Sequence, residues 1–384
     1  MRNNQIKNKK LKILFVLDHF WPHIGGVERV FRSLIDGILP QADKIIVLTL
    51  RDPDCLGYEK IGSKIKIIRV GKNPLAFMIL AIFKTYALAR QVDLVHTTTY
   101  FSALPAFIGA RLARKPVVIT VHELFGNLMK KILGKGKGSL YQLTEKFLIS
   151  LPFDYYVAGS NYTYNILRVY LGLPDQKLGV IYNGIDYSLW NPRNYQTKAL
   201  ALKAELNLDK SFVYLYYGRP GVSKGLEYLI QAVPDIQAKI PNSYLFLILS
   251  HFPADRYQMI LGLIKKLSLE KSVIIKDPLP LKELPAYIKM ADCVIVPSLS
   301  EGFGFTAAES CALGVPVVVS RVASLPEVVS GKVIFTQPAD KRSLVEGVSQ
   351  AHGGKWSIIE KKDFSWQKTT SDYLDLYKKI LSKS

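Results

Sequence analysis

The sequence is poor in cysteine and in acidic residues. Its 384 residues include only 3 cysteines, Cys55, Cys293 and Cys311, and none of them has the spacing of a metal-binding pair. An odd number of thiols is typical of a protein from a reducing compartment. Asp and Glu total 31 against 51 Lys and Arg, which gives a formal net charge of +20 at pH 7. These features argue against a disulfide-stabilised secreted domain.

Apolar runs long enough to cross a bilayer are also missing. The run after Lys12 ends at Asp18, and the run over residues 74–89 is interrupted by Lys84. The basic N-terminal residues lack a signal cleavage pattern. Hydrophobic residues make up 49% of the chain, enough to form two cores at this length. We therefore expect a cytoplasmic protein of two globular domains.

Strand-like and helix-like segments alternate along the chain in two successive series. The predicted strands cover residues 13–17, 44–49, 65–69, 94–96, 117–121, 155–158 and 179–181, and then residues 212–217, 244–249, 273–276, 293–296, 316–319 and 333–335. Such alternation predicts doubly wound, mostly parallel α/β sheets. A polar stretch at residues 191–198 separates the two series and predicts a linker.

These patterns predict domains over residues 1–190 and 191–362, followed by a C-terminal helix within residues 363–384. The apolar side of that helix is expected to carry an aromatic and aliphatic set, namely Trp366, Tyr373, Leu374 and Tyr377.

Two glutamates, Glu301 and Glu309, stand eight positions apart around Gly302 and Gly304, between two strand-like runs. A glycine loop that opens a helix offers backbone amides to an anion. Carboxylates beside such a site would repel the anion itself, so they are expected to bind neutral groups next to it. Sugar hydroxyls fit this requirement, and the segment therefore predicts a nucleotide-sugar site.

Two other interpretations of this segment remain open. Residues 306–309 fit a capping box, in which Glu309 only closes the first helical turn. The glycines also fit a loose dinucleotide fingerprint, with Arg321 placed as in an NADP-binding protein.

A second glycine-rich loop lies between a predicted strand and a predicted helix, and Arg219 and Lys224 bracket it. A planar guanidinium and a compact ammonium both suit phosphate oxygens. The loop is not a Walker motif, and an ordinary exposed basic turn is the alternative. A cationic loop followed by a carboxylate-flanked loop predicts one ligand with an anionic middle and hydroxylated ends.

Taken in order, the motifs resemble those of the retaining glycosyltransferases of family 4, and the resemblance covers nearly the whole chain. They are Ile24-Gly25-Gly26-Val27-Glu28, His122 after a strand, Ile181-Tyr182-Asn183-Gly184-Ile185-Asp186, the pair Arg219 and Lys224, and the pair Glu301 and Glu309. The family has the GT-B fold. The resemblance implies two Rossmann-like domains facing across a cleft, with the C-terminal helix crossing back to the first domain.

The resemblance also implies a role for each acidic and basic residue of the second domain. Arg219 and Lys224 would bind the diphosphate, Glu301 the donor sugar and Glu309 the ribose. The acceptor hydroxyl would attack the face that the diphosphate leaves, so that the anomeric configuration is retained. No metal or other cofactor is expected, because the two cations supply the positive charge.

The remaining donor contacts implied by the resemblance come from loops. Gly26 in the first domain, and Gly302, Phe303 and Gly304 in the second, would face the sugar or the phosphates. His122 would orient one of these groups rather than act as a base, with a strand-end capping role as the alternative.

The chain departs from the family pattern at two loops, residues 250–254 and 277–280, where many members have glycines near the nucleotide base. The base therefore stays open among uracil, guanine and adenine. A nucleotide-sugar epimerase, a phosphorylase of the same fold and a non-enzymatic basic membrane-docking protein are the alternative functions. Asp52-Pro53-Asp54 is interpreted as a turn, and the histidines show no metal-ligand spacing.

The distribution of charge along the chain indicates what kinds of partner the protein could bind. Residues 1–190 have 13 more basic than acidic residues and the remainder of the chain only 7 more. Residues 126–151 combine lysines with large apolar residues, which fits either an anionic membrane surface or a mobile solvated loop followed by a helix. We expect a glycan or lipid-linked acceptor, as in polysaccharide biosynthesis, with peripheral membrane association and no nucleic acid partner.

Overall fold

A computed structural model describes residues 10–23, 25–126 and 128–383. The chain forms two compact units, each built on its own mostly parallel sheet. The first unit runs up to Gly184 and resumes at Phe364, and the second comprises Ile185–Asp363. The predicted α/β class is confirmed. The chain leaves the first unit at Gly184, whereas the sequence pattern placed the first boundary at residue 190.

The first unit is a sheet with helices on both faces. Its strands are β1 (Leu11–Leu17), β2 (Ala42–Leu50), β3 (Tyr58–Ile61), β4 (Ile65–Val70), β5 (Leu94–Thr98), β6 (Val117–Val121), β7 (Tyr155–Ala158) and β8 (Leu178–Val180). Its helices are α1 (Gly26–Ile38), α2 (Pro74–Ala89), α3 (Ala103–Leu112), α4 (Leu128–Ser150), α5 (Asn161–Leu171) and, from the chain end, α13 (Trp366–Leu381). The strand order is β3-β4-β2-β1-β5-β6-β7-β8, and β3 is the one strand antiparallel to its neighbour in the described part of this unit. The central strands are buried almost throughout on both sides, so both faces need helical cover.

The C-terminal helix α13 packs on the sheet of the first unit, as predicted. Ser365 caps its N-terminus by accepting a hydrogen bond from the Lys368 amide at 3.4 Å. Tyr373 and Tyr377 are fully buried in the core that α1 covers. Trp366 lies against Gly184, where a Cβ atom would collide with the indole ring.

His96 lies inside β5 and is fully buried, whereas the sequence suggested a residue at the end of a strand. Its Nδ1 is 2.6 Å from the Tyr377 hydroxyl and its Nε2 is 2.8 Å from Thr120 Oγ1. Thr120 Oγ1 is in turn 2.9 Å from the Tyr373 hydroxyl. Burial lowers the pKa of His96 to about 3, and repulsion between the protonated forms of His96 and His122 adds to this effect. The ring is therefore neutral and joins α13 to the sheet through hydrogen bonds.

This burial predicts an acid-sensitive contribution to stability. The folded pKa of His96 is below its ordinary value of 6.5, so the contribution is complete above pH 6.5 and is lost as the pH falls towards 3. At pH 5 the loss amounts to about 2 kcal/mol. The difference in unfolding free energy between the wild type and His96→Gln should therefore shrink by about that amount between pH 7 and pH 5. Urea unfolding at the two pH values measures it, and an unchanged difference would contradict the expectation.

The second unit repeats the architecture. Its strands are β9 (Phe212–Gly218), β10 (Ser243–Leu249), β11 (Val273–Lys276), β12 (Cys293–Val296), β13 (Val317–Ser320), β14 (Gly331–Thr336) and β15 (Ser357–Ile359). Its helices are α6 (Gln196–Glu205), α7 (Leu226–Lys239), α8 (Ala254–Lys266), α9 (Leu284–Met290), α10 (Phe305–Ala312), α11 (Leu325–Val328) and α12 (Lys341–His352). The strand order is β11-β10-β9-β12-β13-β14-β15. One face packs against α7, α8 and α12 through a continuous apolar core.

Residues 128–150 form two helical stretches, together α4, that meet at a kink at Gly134, whose φ of +79° and ψ of 167° are not helical. The glycine and lysine run in this segment is therefore part of a helix and not a loop. Among the residues that the structure describes, none of the helices combines the length and the apolar character needed to cross a bilayer.

Candidate functional site

Two loops of the second unit meet at one edge of its sheet. β9 and β12 are neighbouring parallel strands, so the loops that follow them emerge side by side. The amide of Leu299 donates a hydrogen bond to the carbonyl of Ser223 at 2.7 Å. Gly225 has a φ of +64°, and a Cβ atom there would collide with the carbonyl of Pro297. Glycine is required at this position by both the backbone conformation and the close approach of the loops.

The contact between the loops brings together Lys224 and Glu301, two residues that the sequence analysis assigned to one ligand. Lys224 Nζ lies 2.8 Å from Glu301 Oε1. Ser298 Oγ donates to the same carboxylate oxygen at 2.9 Å. Glu301 is buried, with 8% of its surface exposed, whereas Lys224 is half-buried. The Lys224 ammonium is therefore the more accessible member of the pair, and the Glu301 carboxylate is the more buried one.

Arg219 begins the same loop, and its side chain is exposed. Within the described part of the chain, no hydrogen bond or ion pair engages its guanidinium. Its backbone carbonyl accepts a hydrogen bond from the Tyr216 hydroxyl at 2.8 Å. Burial, with the nearby Glu301 charge adding, raises the pKa of Tyr216 far above its ordinary value, so this hydroxyl remains a donor. The backbone of Arg219 is fixed, and its guanidinium is free to bind a ligand.

The loop after β12 leads into the N-terminus of α10. Gly304 is the residue before this helix and has a φ of +92°; a Cβ atom there would lie 2.6 Å from Leu325 Cδ2. Gly302 is half-buried beside it. Phe303 is buried, with its ring centroid 5.1 Å from that of Phe305. The first amides of a helix have no partner within the helix, so this end can receive an anion.

Glu309 is almost fully buried in α10, with 2% of its surface exposed. Its Oε2 accepts a hydrogen bond from the Tyr217 hydroxyl at 3.1 Å, and the same hydroxyl lies 2.9 Å from the carbonyl of Thr306. The capping-box interpretation is wrong, because Gly304 and not Thr306 precedes the helix. The sequence analysis did not identify Tyr217, because no sequence pattern shows that the end of β9 lies against α10.

The two loops that depart from the family pattern contact each other. His251 Nε2 lies 2.9 Å from Asp277 Oδ1, and both side chains are largely exposed. The His251 ring also packs against Tyr257. Where many members of the family have glycines, this chain therefore has a polar pair, His251 and Asp277, at one edge of the sheet.

In the first unit, Gly26 is the first residue of α1, and Gly25 before it is extended. A Cβ atom on Gly26 would meet no other atom within 4 Å, so the space above this helix N-terminus is open. Ile24, the first residue of the predicted glycine motif, lies outside the described residues.

His122 directly follows β6. Its ring meets Phe31 edge-on at 5.8 Å, and its Nε2 is buried without a hydrogen-bond partner among the described residues. Burial lowers its pKa to about 4, so the ring is neutral at pH 7. The loop after it is held by Glu145 of α4, whose carboxylate accepts hydrogen bonds from the amides of Phe125 and Gly126, both at 3.0 Å. An unpartnered nitrogen on a fixed loop is suited to a ligand.

The structure adds Asp18, which the sequence analysis did not single out. It follows β1 and accepts a hydrogen bond from the Ser102 amide at 2.6 Å. Burial raises its pKa to about 7, with the Glu28 charge contributing, while the contacts with Ser102 act in the opposite direction. Its position directly after a predicted apolar strand is the signal in the sequence that could have identified it.

Two family models match this chain, one over most of each unit. Residues 24–189 match the family model described as Glycosyltransferase Family 4, and residues 199–361 match the model described as Glycosyl transferases group 1. An uncharacterised glycosyltransferase of Methanocaldococcus jannaschii is 26% identical over 96% of this chain and 98% of its own.

Among solved structures, sucrose-phosphate synthase of Thermosynechococcus elongatus superimposes with a TM-score of 0.77 at 21% identity, covering 97% of this chain and 100% of its own. HepE of Anabaena in complex with UDP-glucose gives a TM-score of 0.71 at 17% identity, covering 97% and 98%. The fold that these structures share is a two-domain α/β fold of the GT-B type.

Proposed function

Because the chain belongs to the glycosyltransferases of family 4, we propose that it transfers a sugar from a nucleoside-diphosphate donor to a hydroxyl acceptor, with retention of configuration. The contact between Lys224 and Glu301 is the observation that carries the proposal. An ammonium and a buried carboxylate 2.8 Å apart, near the N-terminus of α10, suit a ligand that carries both phosphate and hydroxyl groups. The UDP-glucose held by a protein of similar fold supports the same donor class.

In this proposal the positive groups bind the leaving diphosphate. As the bond to the anomeric carbon breaks, negative charge collects on the phosphate oxygens. Arg219 binds them as a planar fork, and Lys224 turns from Glu301 towards them. The amides at the start of α10, among them those of Phe303 and Gly304, add donors that are already oriented. Gly26 offers the same kind of donor from α1.

The two buried carboxylates then bind hydroxyl groups. Glu301, released by Lys224 and still held by Ser298, accepts hydrogen bonds from the sugar. Glu309, oriented by the Tyr217 hydroxyl, binds the ribose.

We propose that His122 orients the sugar or the phosphates as a neutral imidazole. Its pKa of about 4 makes it a poor base near pH 7, so the departing diphosphate takes the proton of the acceptor hydroxyl. Attack and departure then share one face of the sugar, which retains the configuration. Arg219 and Lys224 neutralise the diphosphate, and the proposal needs no metal there.

A thermal-shift screen against UDP-, GDP- and ADP-sugars, run with EDTA present, tests the donor. We expect one nucleotide class to raise the melting temperature, because a ligand that binds only the folded state stabilises it. Products from a radiolabelled donor then test the reaction. A glycoside with the donor's anomeric configuration supports the proposal. An epimer or a sugar phosphate would instead identify an epimerase or a phosphorylase, and no shift with any donor would contradict the proposed site.

The acceptor is proposed to lie at a membrane surface. On α4, Leu140 and Leu143 are 66% and 65% exposed, and Phe147 is exposed one turn further along the same face. Exposed lysines, among them Lys137 and Lys146, lie on the same helix. Apolar side chains beside cations suit the interface of an anionic bilayer, which supports a lipid-linked acceptor.

Co-sedimentation with vesicles tests this part of the proposal. Vesicles containing phosphatidylglycerol should retain more protein than pure phosphatidylcholine vesicles, because the lysines attract the anionic headgroups. Leu140→Glu should release the protein. Val169→Glu is the matched control, since Val169 is 87% exposed on α5 and outside this face. Equal release by both variants, or equal binding to both kinds of vesicle, would rule out docking through α4.

A further inference from the structure

Three side chains of types that can ligate metals converge in the first unit, at residues that the proposed donor site does not use. His19 and His23 follow β1, and Asp52 follows β2. One ligand atom from each lies within 4.8 Å of the other two. The strands are parallel neighbours, with Leu17 paired to Thr49, so residues just beyond their ends come together.

The backbone holds the two loops against each other. The carbonyl of Asp18 accepts hydrogen bonds from the amide of Leu50 and from Thr49 Oγ1, both at 3.2 Å. Asp52 starts a turn, closed by a hydrogen bond from the Cys55 amide to its carbonyl at 3.1 Å. These hydrogen bonds hold the backbone beside His19 and at Asp52, so metal binding would require only rotations of the side chains.

The geometry differs from that of an ordinary His–Asp pair. His19 Nδ1 is 3.7 Å from Asp52 Oδ1, which is longer than a hydrogen bond, and this nitrogen is buried without a hydrogen-bond partner in the described residues. By contrast, the exposed pair His251 and Asp277 closes to 2.9 Å. A buried nitrogen without a partner destabilises the folded state, and a metal ion would supply the missing partner.

The separation also suits coordination. Bonds of about 2.0–2.1 Å to a tetrahedral zinc ion place two ligand atoms about 3.4 Å apart. The 3.7 Å separation of His19 and Asp52 needs little change. The rings of His19 and His23 are stacked with centroids 4.5 Å apart, so they must rotate to point their nitrogens at one ion. Both side chains are about one third exposed, which leaves room for that rotation.

We propose that His19, His23 and Asp52 bind a Zn²⁺-like divalent cation through two imidazole nitrogens and one carboxylate oxygen. Glu28 Oε1 lies 3.9 Å from His23 Nε2, so this carboxylate is placed to complete the site or to orient the ring. Imidazole ligands favour zinc over magnesium. The ion ties the loop that leads into Gly26 to the loop after β2, and it takes no part in neutralising the diphosphate.

Calorimetric titration of the chain, prepared without a histidine tag and treated with EDTA, tests the site. We expect one equivalent of Zn²⁺ to bind, and Mg²⁺ not to compete. His23→Asn and Asp52→Asn should each weaken Zn²⁺ binding by at least about tenfold, since removing even a supporting group of a metal site has effects of 10–100-fold.

Asp54→Asn is the matched control, because Asp54 belongs to the same Asp-Pro-Asp turn but is exposed and outside the cluster. Its Zn²⁺ affinity should equal that of the wild type. Zn²⁺ should also raise the melting temperature of the wild type and of Asp54→Asn, and not that of Asp52→Asn. The proposal is overturned if the wild type binds no Zn²⁺, or if Asp52→Asn and Asp54→Asn bind it equally well.

Discussion

Lys224→Ala is expected to lower kcat by about 10²–10³-fold, the usual effect of removing one preorganised donor from a developing anion. The variant also leaves the buried Glu301 carboxylate with Ser298 and without its ammonium partner. The loss of this partner is expected to lower the free energy of unfolding by about 1–3 kcal/mol. Rates of nucleoside-diphosphate release at saturating donor measure the first effect, and urea unfolding measures the second.

Lys203→Ala is the control that distinguishes a loss of catalysis from the loss of an ion pair. Lys203 Nζ lies 2.9 Å from Asp292 Oδ2 in the same unit, and this pair is also partly buried. Its removal should lower stability by a similar amount and leave kcat within about twofold, because Lys203 takes no part in the proposed donor site. A Lys224→Ala variant with wild-type turnover, or two variants with equal rate losses, would show that Lys224 is a structural residue only.

Arg219→Ala is expected to lower kcat by the same factor of about 10²–10³ and to leave stability almost unchanged. The guanidinium is exposed and unpartnered within the described part of the chain, so its loss breaks no internal contact. Surface changes of this kind usually alter the unfolding free energy by less than about 0.5 kcal/mol. Activity and melting temperature, measured on the same preparation, should therefore respond differently.

Arg321→Ala is the control for Arg219→Ala. Arg321 is also exposed, lies directly after β13, and stacks on the Phe335 ring at 4.0 Å. It is the residue that an NADP-binding interpretation would use. We expect its removal to leave glycosyl transfer unaffected. If Arg321→Ala were inactive and Arg219→Ala fully active, the assignment of the diphosphate site to the 219–225 loop would be wrong.

The sheet strands could be predicted because a buried parallel strand is apolar along its whole length. The runs that became β1, β6 and β9 are clear in the sequence. The edge strands β3 and β15 were not predicted. Both are short and antiparallel to their neighbour, and their side chains are largely exposed or only half-buried. Such strands have no apolar pattern to mark them.

The candidate site was predictable where function depends on local spacing. Glu301 and Glu309 lie in one loop and helix, and Arg219 and Lys224 lie in one turn, so each pair is visible as a motif. Their three-dimensional partners were not predictable. The Tyr217 hydroxyl reaches Glu309 from a strand 92 residues earlier in the chain.

The convergence of His19 and His23 on Asp52 was hidden for a similar reason. These residues come together only because β1 and β2 pair in a particular register. The turn predicted at Asp52 is present, but the sequence gives no indication that two imidazoles lie against it.

The return of the chain to its first unit has a consequence for biosynthesis. Tyr373 and Tyr377 complete a buried core, and their hydrogen-bond partners Thr120 and His96 are synthesised 253 and 281 residues earlier. During translation the second unit, residues 185–363, emerges in full before α13 exists. Until α13 is made, the face of the first sheet that α1 and α13 share is therefore only partly covered. Interrupted synthesis would yield a chain with an exposed apolar face, which is the form that chaperones and proteases act on.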